Sequence, residues 1–155
     1  QGSKFDLHGN MKSWWTKEDR ERFEKKAKVL VDQYNAFVVE DGVHVNGQLT
    51  LGENIADLGG AVIAFDALQT HLAKAGRTVI DGFTPEQRFF LGFAQQEQEL
   101  RNAEMQKTAV LTDPHSPAEF RINGPLSHMP EFYEAFGITK GDPLYREPKD
   151  RAVIW

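Results

Sequence analysis

The sequence predicts a mainly α-helical chain with short irregular or extended connections, and three stretches carry that expectation. Phe23, Ala27, Leu30, Val31 and Tyr34 recur at i, i+4, i+7, i+8 and i+11, a single apolar stripe at helical period. Leu58 to Leu68 reads Leu-Gly-Gly-Ala-Val-Ile-Ala-Phe-Asp-Ala-Leu, apolar nearly all round, as in a core helix. Thr84-Pro85-Glu86-Gln87 joins an N-capping Thr to Pro at the first helical position and Gln at the third, a strong helix start.

In chain order, Gln1 to Ser13 is polar and Gly-containing and reads as an irregular connection. Thr16 is an N-cap with Glu18 and Asp19 in the first turn, opening a helix over about 17–36. Lys17, Arg20, Glu21, Glu24, Lys25 and Lys28 lie off its apolar stripe and form a solvated face. Asp41-Gly42 and Asn46-Gly47 are turn signals between short extended pieces at 37–39 and 43–45. The next helix contains Glu53 and runs to about Lys74, with Gly76 as its stop. In the Thr84 helix, Phe90, Phe93, Glu97 and Leu100 are expected to share a face on which Glu97 is the one acid. Met129 to Phe136 reads as a short helix stopped by Gly137. From Thr139 the chain is Pro- and Gly-rich and extended, ending on Val153-Ile154-Trp155, an apolar tip expected to dock. The 155 residues fit a single domain.

Two stretches carry candidate chemistry. In Gly52-Glu53-Asn54-Ile55-Ala56-Asp57-Leu58-Gly59-Gly60, Glu53 and Asp57 stand four residues apart on one helix face. Like charges so placed repel by roughly 0.2–0.5 kcal/mol even when exposed. Gly60, Ala61 and Ala64 on or beside that face let another backbone approach. Two acids there call for a cation or a set of donors; a metal with histidine ligands would satisfy both. Equally, the two acids could lie at a helix N-terminus, favoured by its dipole. The second stretch is Thr112-Asp113-Pro114-His115-Ser116-Pro117-Ala118-Glu119-Phe120-Arg121. Its two prolines stiffen the loop around His115, and Ser116-Pro117 can start a short helix with Arg121 one turn inside. His8, His44, His71 and His128 have no ligand-like spacing and read as surface or structural residues.

Composition narrows the classes of function. A net charge of −5 with no basic patch argues against a nucleic-acid partner. The absence of cysteine removes disulfides, thiolate metal sites and a cysteine nucleophile. No run reaches the length of a membrane span, and no signal pattern opens the chain, which begins without Met.

Gly-Glu-Asn-Ile-Ala-Asp-Leu-Gly-Gly at 52–60 resembles the third-ligand motif of the neprilysin-like zinc metallopeptidases. Trp14-Trp15, Phe89-Phe90-Leu91, the run from Thr112 to Ile122 and the terminal Val-Ile-Trp fit the same family in order and spacing. The resemblance implies the C-terminal, helical portion of a thermolysin-like (gluzincin) catalytic domain acting on peptides. It implies that Glu53 is a zinc ligand and that Asp57 orients a zinc-binding histidine. It implies further that His115, oriented by Asp113, donates to the oxyanion, and that Arg121 binds a backbone carbonyl on the leaving-group side. An extracytoplasmic location (periplasmic, cell-surface or secreted) follows by the same resemblance.

The chain departs from the family pattern twice. No histidine is followed by Glu, so the H-E-x-x-H helix that carries the general base and two zinc ligands is not in these residues. The chain is therefore expected to be a fragment, inactive and weak in zinc binding by itself, with exposed apolar surface and a tendency to self-associate. Relatives also commonly carry an aliphatic and an aromatic residue where this chain has Gln96 and Glu97. In relatives those positions help line the pocket for the side chain after the scissile bond, so Glu97 is expected either to favour polar or basic side chains there or to point aside. A non-catalytic helical interaction module that keeps the fold is the second reading, and an oligomeric helical scaffold the third.

Overall fold

A computed structural model describes residues 2–154. Six α-helices carry the fold, and no β-strand occurs among the described residues: α1 (Lys17–Ala36), α2 (Gly47–Ala75), α3 (Pro85–Gln96), α4 (Ala103–Thr112), α5 (Ala118–Leu126) and α6 (Pro130–Phe136). The mainly helical architecture is the one the sequence predicts. Helix α2 is the spine; α1 and α5 pack on it, and α3 pairs with α6 toward its far end.

Local chemistry accounts for most helix ends. The hydroxyl of Thr16 accepts from the Asp19 amide at the head of α1. Thr84 and Gln87 form a reciprocal capping box at the head of α3. Gly76 (φ 83°) ends α2, and Gly137, in the left-handed region, ends α6. The apolar stripe of α1 faces inward through Ala27, Leu30 and Tyr34, and its charged residues face out.

Three expectations need correction. Asn46-Gly47 is not a free turn; its Asn side chain accepts from the amides of Gln48 and Leu49 and caps α2. The helix thus starts at Gly47, well before Glu53. Gly47 sits where α1 and α2 touch backbone to backbone, since a Cβ there would stand 2.4 Å from the Val31 carbonyl oxygen. Second, α3 ends at Gln96, so Glu97 is its C-cap and Leu100 lies beyond it, fully exposed. Third, α2 is not buried all round: Leu58, Ala61, Phe65 and Leu72 enter the core, while Ala56, Gly60, Ile63, Ala64 and Ala67 form an exposed small-residue and apolar strip.

Between α1 and α2 the extended pieces do pair, through one antiparallel bridge from Val38 to His44. Phe37 at its base stacks on Phe120 of α5, ring centroids 4.3 Å apart. Helix α4, with Asn102 as its N-cap, has no counterpart in the sequence reading; Val110 is its one fully buried residue. The extended C-terminal segment docks through Ala152 and Ile154 while Val153 is exposed; Trp155 lies outside the described residues.

Candidate active site

With α2 starting at Gly47, Glu53 falls in its second turn and Asp57 one turn further along. Neither acid is at the helix N-terminus, where the dipole would stabilise it, because that effect fades within the first turn. The pairing therefore needs partners from elsewhere, and the loop before α5 together with α5 itself supplies them.

His115 leaves α4 on the rigid Asp113-Pro114 segment. Its ring Nδ1 lies 2.8 Å from Asp113 Oδ1, and its own amide donates to the same oxygen at 2.9 Å. Those two bonds hold the Asp113 carboxyl below the usual carboxylate range, the amide bond being the larger cause. A carboxylate accepts only, so Nδ1 carries the proton and the ring is turned to present Nε2. That nitrogen sits 3.4 Å from Glu53 Oε2. Both side chains are about half exposed (47% and 42%), so the pair opens onto solvent.

The loop is fastened to α2 by residues the sequence reading passed over. Ser116 donates to Asn54 Oδ1 at 2.9 Å, and Asn54 Nδ2 donates to the Thr50 hydroxyl at 2.9 Å. Asn54 is fully buried, so these bonds form away from competing water. Asn54 lies between the two acids in sequence, and its buried bond to Ser116 ties the position of Glu53 to that of His115. The available signal was a polar residue falling on the apolar, inward side of α2.

Arg121 projects from the first turn of α5 onto Asp57. Nε donates to Oδ2 at 2.8 Å and Nη2 to Oδ1 at 2.7 Å, the two-pronged geometry that a guanidinium offers a carboxylate. Nη1 lies 3.3 Å from Glu97 Oε2. The bond to Asp57 is the largest cause raising the Arg121 pKa further, so the group is a permanent cation. Beneath it, burial and the nearby Asp57 charge push the Tyr34 phenol up; its hydroxyl donates to the Phe120 carbonyl. Glu53, Asp57, Glu97, Asp113, His115 and Arg121 thus converge. Gln96 does not: it is exposed, and no hydrogen bond joins it to the cluster among the described residues.

Zinc needs three or more protein donors for a catalytic site. No group of three or more His, Cys, Asp or Glu residues suited to a metal occurs among the described residues. Asp57 is engaged on both oxygens by Arg121, whereas Glu53 is approached only by His115 Nε2 at 3.4 Å and opens onto solvent. The donor set fits one ligand of a centre completed by other residues. An open cleft of about 950 Å³ lies beside Glu53 and Pro114, walled by Trp15, Phe23, Leu49 and Ile55.

Acids on one helix face, an imidazole locked by a carboxylate and a guanidinium within the same reach make up a constellation suited to acyl transfer. The chain belongs to peptidase family M13, whose family model matches residues 1–152. It is 41% identical over 158 residues to endothelin-converting enzyme 1 of Rattus norvegicus, covering 100% of this chain and 20% of that protein. Neprilysin-1 of Caenorhabditis elegans is 37% identical over 160 residues, covering 99% of this chain and 21% of its own length. Among solved structures, a Mycobacterium tuberculosis zinc metalloprotease in complex with an inhibitor superimposes with a TM-score of 0.91 at 42% identity, covering 100% of this chain and 24% of that chain. PepO from Lactobacillus rhamnosis gives 0.81 at 34% identity, covering 99% of this chain and 23% of its own. The chain spans about a fifth of the length of the curated relatives it matches.

Proposed function

We propose that these residues are the C-terminal part of the catalytic domain of a zinc-dependent metalloendopeptidase that hydrolyses peptide bonds. The observation that carries this reading is the 3.4 Å approach of His115 Nε2 to Glu53, with the Asp57–Arg121 pair one turn along the same helix face. Zinc, when bound, polarises the scissile carbonyl and activates water. Glu53 would supply one of its ligands. Asp57, already held by Arg121, keeps lone pairs free to accept from a zinc-binding histidine of the remainder of the domain. His115, with Nδ1 committed to Asp113, donates from Nε2 in its imidazolium form to the negative oxygen that develops on the carbonyl. Arg121 donates to a substrate backbone carbonyl on the leaving-group side.

The general base and the other zinc ligands belong, in this reading, to the rest of the domain, which covers the exposed strip of α2 and the cleft beside Glu53. The isolated chain is then inactive and self-associates through that strip. No described helix is long and apolar enough to cross a membrane; an extracytoplasmic site of action is part of the same proposal. The test is zinc content and cleavage of quenched peptides by the full-length protein and by its Glu53→Gln variant. Loss of both in the variant supports the reading; a zinc-loaded, active variant overturns it.

A further inference from the structure

A single chain of buried hydrogen bonds joins the loop between α4 and α5 to α2. The Thr50 hydroxyl donates its one proton to the Asn46 carbonyl at 3.1 Å, so toward Asn54 it can only accept. It takes the Asn54 Nδ2 donor at 2.9 Å, which turns Oδ1 to the Ser116 hydroxyl, also at 2.9 Å. Thr50, Asn54 and Ser116 are 1%, 0% and 4% exposed. Pro114 and Pro117 have no amide to offer, and the His115 amide is taken by Asp113. Among the described residues, no other hydrogen bond joins residues 113–117 to α2.

Three polar side chains in the interior add little to stability by themselves. Apolar residues of similar shape would hold the loop about as firmly, because a buried polar pair has little net advantage over an apolar one. What the polar chain adds is direction. A hydrogen bond weakens steeply as it lengthens or bends, whereas an apolar contact lets its partners slide. Its last bond joins the residue after Glu53 to the residue after His115, so it fixes the imidazole relative to the carboxylate. Donors to a developing oxyanion act at about 2.7–3.1 Å, and a displacement of about 1 Å removes most of their effect. We propose that Asn54 is a positioning residue, which through Ser116 holds His115 where Nε2 meets the oxygen that becomes negative during peptide hydrolysis. This inference rests on the peptidase reading above and on the part it gives His115.

The experiment compares the full-length, zinc-loaded protein with Ser116→Ala and with Asn54→Leu combined with Ser116→Ala. The single variant strands Asn54 Oδ1. The double variant leaves no member of the chain unpaired, because Thr50 keeps the Asn46 carbonyl. Tm is therefore expected to fall in the single variant and to recover in the double one. On a quenched peptide, kcat is expected to be about 10- to 100-fold lower in both. KM and zinc content stay unchanged, since Glu53 remains with α2. A peptide carrying a tetrahedral phosphinate at the scissile position should lose affinity by the same factor in calorimetry, while a product peptide should not. A kcat that recovers together with Tm, or that never falls in Ser116→Ala, overturns the positioning role and leaves the peptidase reading standing. Loss of zinc from Ser116→Ala also overturns it, because the defect then lies at Glu53. If the double variant does not fold, the kcat, KM and phosphinate affinity of Ser116→Ala decide. A wild-type protein that cleaves no peptide overturns both.

Discussion

Arg121 and Asp57, 64 residues apart in sequence, meet through two parallel hydrogen bonds of 2.8 and 2.7 Å. The pair clamps α5 against the middle of α2 and fixes where the guanidinium stands. Its side chains are 23% and 13% exposed, so it is partly desolvated and its loss leaves Asp57 poorly compensated. Arg121→Ala is expected to cost about 1–3 kcal/mol of stability, measured by urea unfolding of the isolated chain. In the full-length protein the same change weakens peptide turnover while zinc content is retained. Loss of zinc would assign Arg121 a purely structural part.

In the proposed assignment Glu53 is the one carboxylate that the isolated chain would offer to a metal. Isothermal titration with zinc should show weak binding only. A tight one-to-one site would contradict the assignment of Glu53 as one ligand among several.

The buried bond from Ser116 to Asn54 leaves no polar atom there unpaired, and no buried side-chain polar atom is unpaired among the described residues. Ser116→Ala strands Asn54 Oδ1 away from water, at an expected cost of about 1–3 kcal/mol. Chemical denaturation measures it, and a neutral result would mean that the loop before α5 is held by other contacts.

Gly124 faces the Tyr34 ring, and a Cβ there would stand 2.2 Å from Oη and 2.7 Å from Cζ. Neither α5 nor a ring at the centre of the core can retreat by that much without cost. Gly124→Ala should destabilise by about 1–3 kcal/mol, read as a lowered Tm. An unchanged Tm would show that the ring has room to move.

His128 is buried, with Nδ1 accepting from the Ala152 amide at 2.9 Å and Nε2 donating to Gln33 Oε1 at 2.7 Å. Burial, reinforced by Arg146 and Arg151, pushes its pKa down to about 3. Unfolded, the ring titrates near the ordinary value of about 6.5, so between the two values the unfolded chain binds the extra proton. The contribution is therefore fully present above about pH 6.5 and lost as pH falls toward 3, by at most about 1.4 kcal/mol per unit. The stability difference between the protein and His128→Gln should shrink accordingly between pH 7 and pH 4. Parallel pH curves would overturn the role given to His128.

Features encoded in neighbouring residues were legible in the sequence. The caps at Thr16 and Thr84, the stops at Gly76 and Gly137, and the stripe of α1 each depend on a few adjacent side chains. The grouping of Glu53, Asp57, Asp113, His115 and Arg121 was legible by family resemblance more than by spacing. What escaped was decided at long range. Asn46-Gly47 suits a turn or a helix start equally well, and the Val31 carbonyl beneath Gly47 belongs to another helix. Helix α4 buries little apart from Val110, so its pattern is faint. Glu97 read as a misplaced residue on an apolar face because its partner Arg121 lies on a different helix. His128 looked unremarkable until Gln33 and Ala152 closed around it.

The contact of Gly47 with the α1 backbone pins the start of α2. At 1.5 Å per residue, Glu53 stands about 9 Å along α2 from it and Lys74 about 40 Å. A small rocking of the long helix would swing its far end several times further than the carboxylate. Glu53 is therefore mounted close to the point where α2 is pinned to α1.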